Sequence, residues 1–237
     1  MTPGRVVPWR VFGAGGGGRF VSVVVAVCAV SMGWAGSATA ATGYLSSGTA
    51  FGTVDTETFQ TGSVGNLSTT MVTLARSTGG ELYGVNEASS TDQRLHEISR
   101  TTGASTTVAD LVDPGDTEEM FSGLTAVPGG SLYATAITSG LSSFSNQLFR
   151  VNRETGAAAP IGSAQAGVAI LSLAGACDGT LYGVDESFRL VTVSRSTGVR
   201  SIVAPLAPFI TPPDGVALAF EHETRTLFAL AYDSDDP

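Results

Sequence analysis

The sequence predicts an all-β fold of the β-propeller type, and three observations support this prediction. A pattern of short apolar strands joined by polar loops recurs along most of the 237 residues. Its marker leucines, Leu82, Leu132, Leu181 and Leu227, follow one another at intervals of 50, 49 and 46 residues, which is the period of one four-stranded blade. No stretch of about ten or more residues keeps a 3.6-residue apolar period, so helices are not expected.

The clearest copy of the repeat runs from Gly179 to Gly198 and contains the strand Leu-Tyr-Gly-Val-Asp. Three units are complete, over about residues 71–111, 121–161 and 168–204. Residues 216–232 match only the first two strands of a unit, and residues 51–64 match only the last two. We therefore expect about four blades, three complete and one split between the N- and C-terminal segments. An open or truncated propeller is the alternative, because four blades is the low end of the range.

Each complete unit contains a turn with the pattern Ser/Asn-Arg-x-Thr-Gly, at residues 99–103, 152–156 and 194–198. Its glycine suits the left-handed conformation of a short hairpin with a bulge, and its first residue is of a type that caps turns. The arginines of the three turns are Arg100, Arg153 and Arg195. An anion site built on them is the alternative interpretation, but turn chemistry already accounts for the pattern.

The first forty residues have the pattern of a Sec-type signal peptide. A basic, glycine-rich segment precedes the apolar run of residues 20–32, and Ala38-Thr-Ala40 supplies a small-x-small cleavage pattern. Cleavage is expected after Ala40, which leaves residues 41–237 as the propeller domain of a secreted or otherwise extracytoplasmic protein. A retained membrane anchor is the alternative, although the apolar run is shorter than the roughly 20 residues that span a bilayer.

The charge of the chain restricts its partners. All twelve basic residues are arginines, and residues 41–237 contain nine of them against 21 acidic residues, a formal net charge of −12. Like charges repel, so nucleic acid and anionic membrane surfaces are not expected as partners. A cation or a basic protein is the expected ligand, and the chain is expected to be a monomer.

Neither histidine lies in a catalytic pattern. His96 lies within a predicted strand where the other units have Phe149 and Val191, which indicates a packing position. His222 lies in a turn without a second histidine at metal-binding spacing, and Cys177 lies in a turn without a histidine to activate it. We therefore predict no catalytic and no cofactor-binding residue.

The acidic loops leave open a metal site. Ca²⁺ prefers six to eight oxygen ligands from loop carboxylates and carbonyls, and the best placed residues are Asn86, Asp185 and Asp233. None of the acidic segments, which include residues 113–119 and 233–236, has the spacing of a calcium-binding loop. Solvated loops are therefore the first interpretation, and Ca²⁺ is the alternative.

At the Leu-Tyr-Gly-Val-Asp strands and Thr-Gly turns, over about residues 51–232, the chain resembles the exported bacterial β-propeller repeat proteins. This group includes YVTN-type, quinoprotein-like and lactonase-like propellers, and the resemblance implies the fold but not one activity. We expect a binding or interaction module of unidentified ligand. The alternatives are a lactonase-like hydrolase or quinoprotein-like oxidoreductase on the same scaffold, or a truncated piece of a longer propeller.

The loops between the second and third strands differ between units that otherwise repeat well. They lie at residues 86–93, 139–146 and 185–188. Irregular loops on a regular scaffold are a usual place for a binding surface. Because equivalent loops gather at one end of a propeller, we expect these three to form an acidic rim.

Overall fold

A computed structural model describes residues 11–12, 22–25, 42–88, 92–111, 119–139, 144–206, 215–221 and 225–232. In chain order, the strands of these ranges are β1 (Val11–Phe12); β2 (Ser22–Val25), β3 (Thr42–Ser47), β4 (Ala50–Asp55) and β5 (Thr61–Asn66); β6 (Met71–Arg76), β7 (Leu82–Asn86), β8 (Arg94–Ile98) and β9 (Ser105–Asp110); β10 (Glu119–Ala126), β11 (Leu132–Ser139), β12 (Phe144–Val151) and β13 (Ala158–Ala166); β14 (Ile170–Gly175), β15 (Leu181–Asp185), β16 (Arg189–Val193) and β17 (Arg200–Pro205); and β18 (Gly215–Glu221) and β19 (Thr226–Tyr232).

The strands form four antiparallel sheets of four strands and one sheet of three. The first to fourth blades are β2–β5, β6–β9, β10–β13 and β14–β17, and the three-stranded sheet has the order β1-β19-β18. The inner strands β2, β6, β10, β14 and β18 contact one another in this order around the ring, and β18 also contacts β2. The prediction of an all-β propeller of about four blades is thus confirmed. No helix occurs among the described residues, so none is long and apolar enough to cross a membrane.

The topology corrects the predicted split blade. The segment of residues 51–64 does not pair with residues 216–232, because β5 pairs with β4, β4 with β3, and β3 with β2 in one sheet. The C-terminal strands pair with each other, and β19 pairs with β1 in parallel. Thr42–Ser47 form β3, although this segment lacks the Leu-Tyr-Gly-Val run of the complete units. In the structure Tyr44 of this segment stacks on Phe51 at 5.8 Å and is buried.

The hydrophobic core lies between the sheets rather than inside any one of them. Three buried clusters each join two successive blades, and a fourth joins the fourth blade to the three-stranded sheet. The cluster between the second and third blades contains Leu95, Leu124, Leu132 and Phe149. The inner strands are accordingly buried on both faces, whereas the outer strands β5, β9 and β17 are largely exposed. Continuous apolar runs in the sequence therefore correspond to strands that neighbouring blades cover on both sides.

Side-chain hydroxyl groups join the inner strands across the blade boundaries. Thr73 accepts a hydrogen bond from the Leu124 N–H at 3.0 Å, and Thr125 accepts one from the Gly175 N–H at 2.8 Å. Ser172 accepts one from the Leu218 N–H at 2.8 Å. These bonds provide partners for buried N–H groups, which would otherwise cost about 1–3 kcal/mol each. The inner strands are thus fixed in register around the ring.

Candidate functional site

The chain path places the predicted variable loops at one end of the ring. Within each blade successive strands are antiparallel, so the loops between second and third strands lie at the same end as the links from one blade to the next. We call this the loop end. The hairpin turns between first and second strands, and between third and fourth strands, lie at the opposite end, which we call the turn end.

Two of the three predicted metal ligands form structural caps at the loop end. Asn86 and Asp185 are the last residues of β7 and β15, the second strands of their blades. The Asn86 Oδ1 accepts a hydrogen bond from the Arg94 N–H at 2.5 Å, and Asp185 Oδ1 accepts one from the Arg189 N–H at 3.0 Å. Each side chain thereby closes the loop that leads to the third strand of its own blade.

Asp185 is also the centre of a buried ion-pair network. Its side chain is fully buried, and Oδ2 accepts hydrogen bonds from Arg189 Nε at 2.8 Å and from Arg200 Nη1 at 3.0 Å. The Ser187 N–H donates to Oδ1 at 3.1 Å. Both carboxylate oxygens are therefore already bound by donors of the fourth blade. Asn86 and Asp185 lie at equivalent positions of two different blades, and the third candidate, Asp233, lies outside the described residues.

The third blade has no such cap and closes its loop differently. Ala136 occupies the position of Asn86 and Asp185, and the hairpin continues for three more residue pairs, up to Ser139 with Phe144. The loop ends of the blades therefore differ in construction as well as in sequence. No group of three His, Cys, Asp or Glu side chains that could hold a metal ion occurs in the part of the chain that the structure describes.

The three Thr-Gly turns dock onto the outer strand of the preceding blade. Gly103 lies against Asn66 of β5, Gly156 against Asp110 of β9, and Gly198 against Ile161 of β13. All three glycines have positive φ angles, of 76°, 70° and 71°. A Cβ atom on Gly156 would lie 2.5 Å from the Asp110 carbonyl oxygen, which is too close for any other residue. The recurring turn is therefore a contact between blades, which explains why it recurs.

The turn arginines lie beside the hairpin turns. Arg100 and Arg195 lie against Gly80 and Gly179 of their own blades. The Ser77 hydroxyl and, more weakly, the positive charges of Arg153 and Arg100 lower the pKa of Glu81. The Thr180 N–H is the main cause that lowers the pKa of Asp178. Carboxylates thus occupy the turn that faces the arginine in the second and fourth blades.

The remaining predicted chemical residues occupy structural places. His96 is buried within β8, with Nδ1 3.5 Å from the Thr107 hydroxyl, and burial followed by the charge of Arg94 lowers the pKa of its ring. Cys177 is an exposed free thiol. His222, the acidic segment at residues 113–118 and Ala40 lie outside the described residues.

Sequence reasoning missed a buried glutamine that joins two blades at the loop end. The Gln93 side-chain amide donates to the Phe121 carbonyl at 3.2 Å and accepts from the Phe121 N–H at 2.6 Å. The Gln93 side chain thus makes with Phe121 the pair of hydrogen bonds that a neighbouring strand would make with β10. Its only signal in the sequence was its place at the end of a polar loop, next to the apolar strand β8.

No known protein-family model matches the chain, and no curated protein matches it. Among solved structures, it is similar to a luciferin-regenerating enzyme with a TM-score of 0.51 and 12% identity, over 83% of this chain and 69% of that one. A PQQ-bound aldose sugar dehydrogenase from Streptomyces coelicolor gives a TM-score of 0.49 and 13% identity, and the match covers 87% of this chain and 86% of that one.

The extracellular domain of BT4673, a one-component system protein of B. thetaiotaomicron, gives a TM-score of 0.44 and 14% identity. That match covers 80% of this chain but only 25% of the other, so this chain spans about a quarter of its length. At 12% identity, the likeness to the luciferin-regenerating enzyme concerns the fold alone.

Proposed function

We propose that this chain is a binding module that takes a basic partner at the loop end of the propeller. The observation that carries the proposal is the distribution of exposed charge. Glu87, Asp92 and Glu186 are exposed on the loops of the second and fourth blades. Arg94, which begins β8 at the same end, is exposed but paired with Asp110 at 2.8 Å. A lysine- or arginine-rich segment would therefore meet an excess of exposed carboxylates among the described residues of the loop end.

The irregularity of the loops supports the same proposal. The loop of residues 87–93 is longer than that of residues 186–188, and the first blade has only Gly48 and Thr49 between β3 and β4. Such differences on strands that repeat closely are typical of a recognition surface on a rigid scaffold. The side chains that would otherwise serve as catalytic or metal ligands, Asn86 and Asp185, are used to close these loops.

The site of action belongs to the proposal as well. We propose that the module works outside the cytoplasm, and the support is the signal-like sequence of residues 1–40. A surplus of acidic residues also keeps such a protein soluble.

Calorimetric titration of the chain with a lysine-rich peptide tests the proposal. We expect binding that weakens as salt is added, because exposed ion pairs are screened. The double variant Glu87→Gln, Glu186→Gln should weaken binding by about threefold for each charge removed. Glu57→Gln, at an exposed residue of the turn end, is the matched control and should leave binding unchanged.

The proposal fails if the peptide does not bind, or if Glu57→Gln weakens binding as much as the loop-end variant does. A parallel titration with Ca²⁺ distinguishes a simple cation from a basic polypeptide as the ligand. Turnover of a simple lactone by the native chain would establish the enzyme alternative instead.

A further inference from the structure

The third blade has an open pocket of about 540 Å³ on its surface, lined mainly by exposed residues, which we call the cavity. It lies between the turn of residues 127–131 and the turn of residues 152–157. Two arginines, Arg150 and Arg153, line it together with Ser131 and Glu154, and small residues such as Ala157 and Ala159 leave its volume open.

The third blade departs from the repeat at the positions that line this cavity. Arg150 occupies the position that Glu97 and Thr192 have in the second and fourth blades, two residues before the turn. A single strand position thus changes from a carboxylate to a guanidinium group. Its register partner in β13 is Ala159, where the second blade has Thr106, so a small side chain lies beside the arginine.

The carboxylates of the hairpin turn are also missing from this blade. In the second blade the turn supplies Glu81, whose position is taken by Ser131 in the third blade. In the fourth blade the turn supplies Asp178, whose position is taken by Gly129. Arg153 therefore has no acidic residue in the hairpin turn of its own blade. It contacts Tyr83 of the second blade instead, and its positive charge lowers the pKa of Glu81 there.

One hydrogen bond orients two polar groups of the cavity. Arg150 Nη2 donates a hydrogen bond to Ser131 Oγ at 3.2 Å. The serine oxygen thus acts as an acceptor, which leaves its own hydrogen to donate to a ligand. Two guanidinium groups and one hydroxyl donor are a suitable set for an oxyanion, because arginine binds carboxylate and phosphate groups through two parallel N–H bonds.

We propose that this cavity binds the oxyanion group, carboxylate or phosphate, of a small molecule, with Arg150, Arg153 and Ser131 as donors. Glu154 lines the same cavity and weakens the attraction for an anion. The site is separate from the loop end and takes a ligand of opposite charge.

The test is calorimetric titration of the full chain with inorganic phosphate and, in a separate arm, with citrate. We expect one of the two anions to bind, which also identifies the class of oxyanion. Arg150→Gln and Arg153→Gln should each weaken binding by about tenfold or more, since a hydrogen bond to a charged group is lost. Glu154→Gln should strengthen it.

Arg195→Gln is the matched control, because Arg195 has the turn position of Arg153 in the fourth blade, and it should leave binding unchanged. Arg150→Lys keeps the charge but loses the planar pair of donors and should also weaken binding. If Arg153→Gln disturbs folding through its contact with Tyr83, the Arg150 variants decide the question. Absence of binding by both anions would overturn the proposal, and so would binding that the Arg150 variants leave unchanged.

Discussion

Asp185 shows how one side chain serves packing, capping and charge balance at the same time. Its carboxylate receives backbone N–H groups from the loop and guanidinium groups from Arg189 and Arg200, and it is fully buried. Removing one partner of a buried ion pair is costly, because the remaining charges stay in a place of low polarity. The side chain is therefore a fixed part of the fourth blade.

We predict that Asp185→Ala lowers the free energy of unfolding by about 3–5 kcal/mol. Asp110→Ala is the matched control, because Asp110 forms a 2.8 Å ion pair with Arg94 in which both side chains are half exposed or more. Exposed pairs contribute about 0–1 kcal/mol. Urea unfolding of both variants measures the difference, and equal losses would show that Asp185 has no structural role beyond that of a surface carboxylate.

The surroundings of His96 predict that the stability of the protein depends on pH. Burial and the positive charge of Arg94 lower the pKa of its ring, so the unfolded chain binds a proton more readily than the folded one. The contribution of neutral His96 to stability is then fully present at neutral pH. It is lost as the pH falls below about 6.5, the pKa of histidine in the unfolded chain. The carboxylates with a lowered pKa, such as Asp178, lose their contribution only at more acidic pH.

We predict that thermal unfolding of the native chain shifts to lower temperature between pH 7 and pH 5, and that His96→Phe removes most of this shift. Phenylalanine is the natural residue at the equivalent position 149 of the third blade, so the ring fits the architecture. An unchanged pH profile in the variant would contradict the assignment.

Among the elements, the Thr-Gly turn carries the contact between neighbouring blades. Substitutions of Gly162 in β13 and of Gly167, which follows β13, can test this contact. Both glycines have positive φ angles, of 70° and 74°. A Cβ atom on Gly162 would collide with the Thr197 carbonyl of the next blade, whereas a Cβ on Gly167 would meet nothing within 4 Å. A substitution at either position costs free energy because the φ angle is positive. Only a substitution at Gly162 adds a steric clash with the next blade.

We predict that Gly162→Ala destabilises the protein by about 1–3 kcal/mol more than Gly167→Ala does, because overpacking against backbone must shift one blade relative to its neighbour. Denaturant unfolding of the two variants gives the comparison directly. Equal costs would mean that only the φ angle matters and that the turn does not fix the spacing of the blades.

The elements also show what the sequence predicts and what it leaves undetermined. Marker leucines, strand order within the three complete units and the packing role of His96 follow from the repeat, and the structure has them. The role of Asn86 and Asp185 is local turn chemistry that capping rules describe, yet the acidic loops around them suggested a metal. Gln93 and the cavity at Arg150 depend on contacts between residues far apart in sequence, which no periodicity reveals.

At the scale of the whole molecule, the sequence and the structure give two different roles to the first forty residues. The sequence predicts that they are a signal removed after Ala40. The structure places residues 22–25 in β2, the inner strand of the first blade, between β18 and β6. Loss of β2 would leave β3 with an unpaired inner edge, and unpaired strand edges promote aggregation. The signal prediction and its cleavage site remain predictions.

The central claim is that the chain forms one ring in which β2 joins the C-terminal inner strand to the second blade. The most direct test is the unfolding of residues 1–237 and of residues 41–237 in urea, measured side by side with the sedimentation of both. The account predicts that the shorter chain has a lower unfolding midpoint and self-associates through the exposed edge of β3. An identical midpoint and a monomeric shorter chain would contradict it, and would assign residues 1–40 to a removable leader.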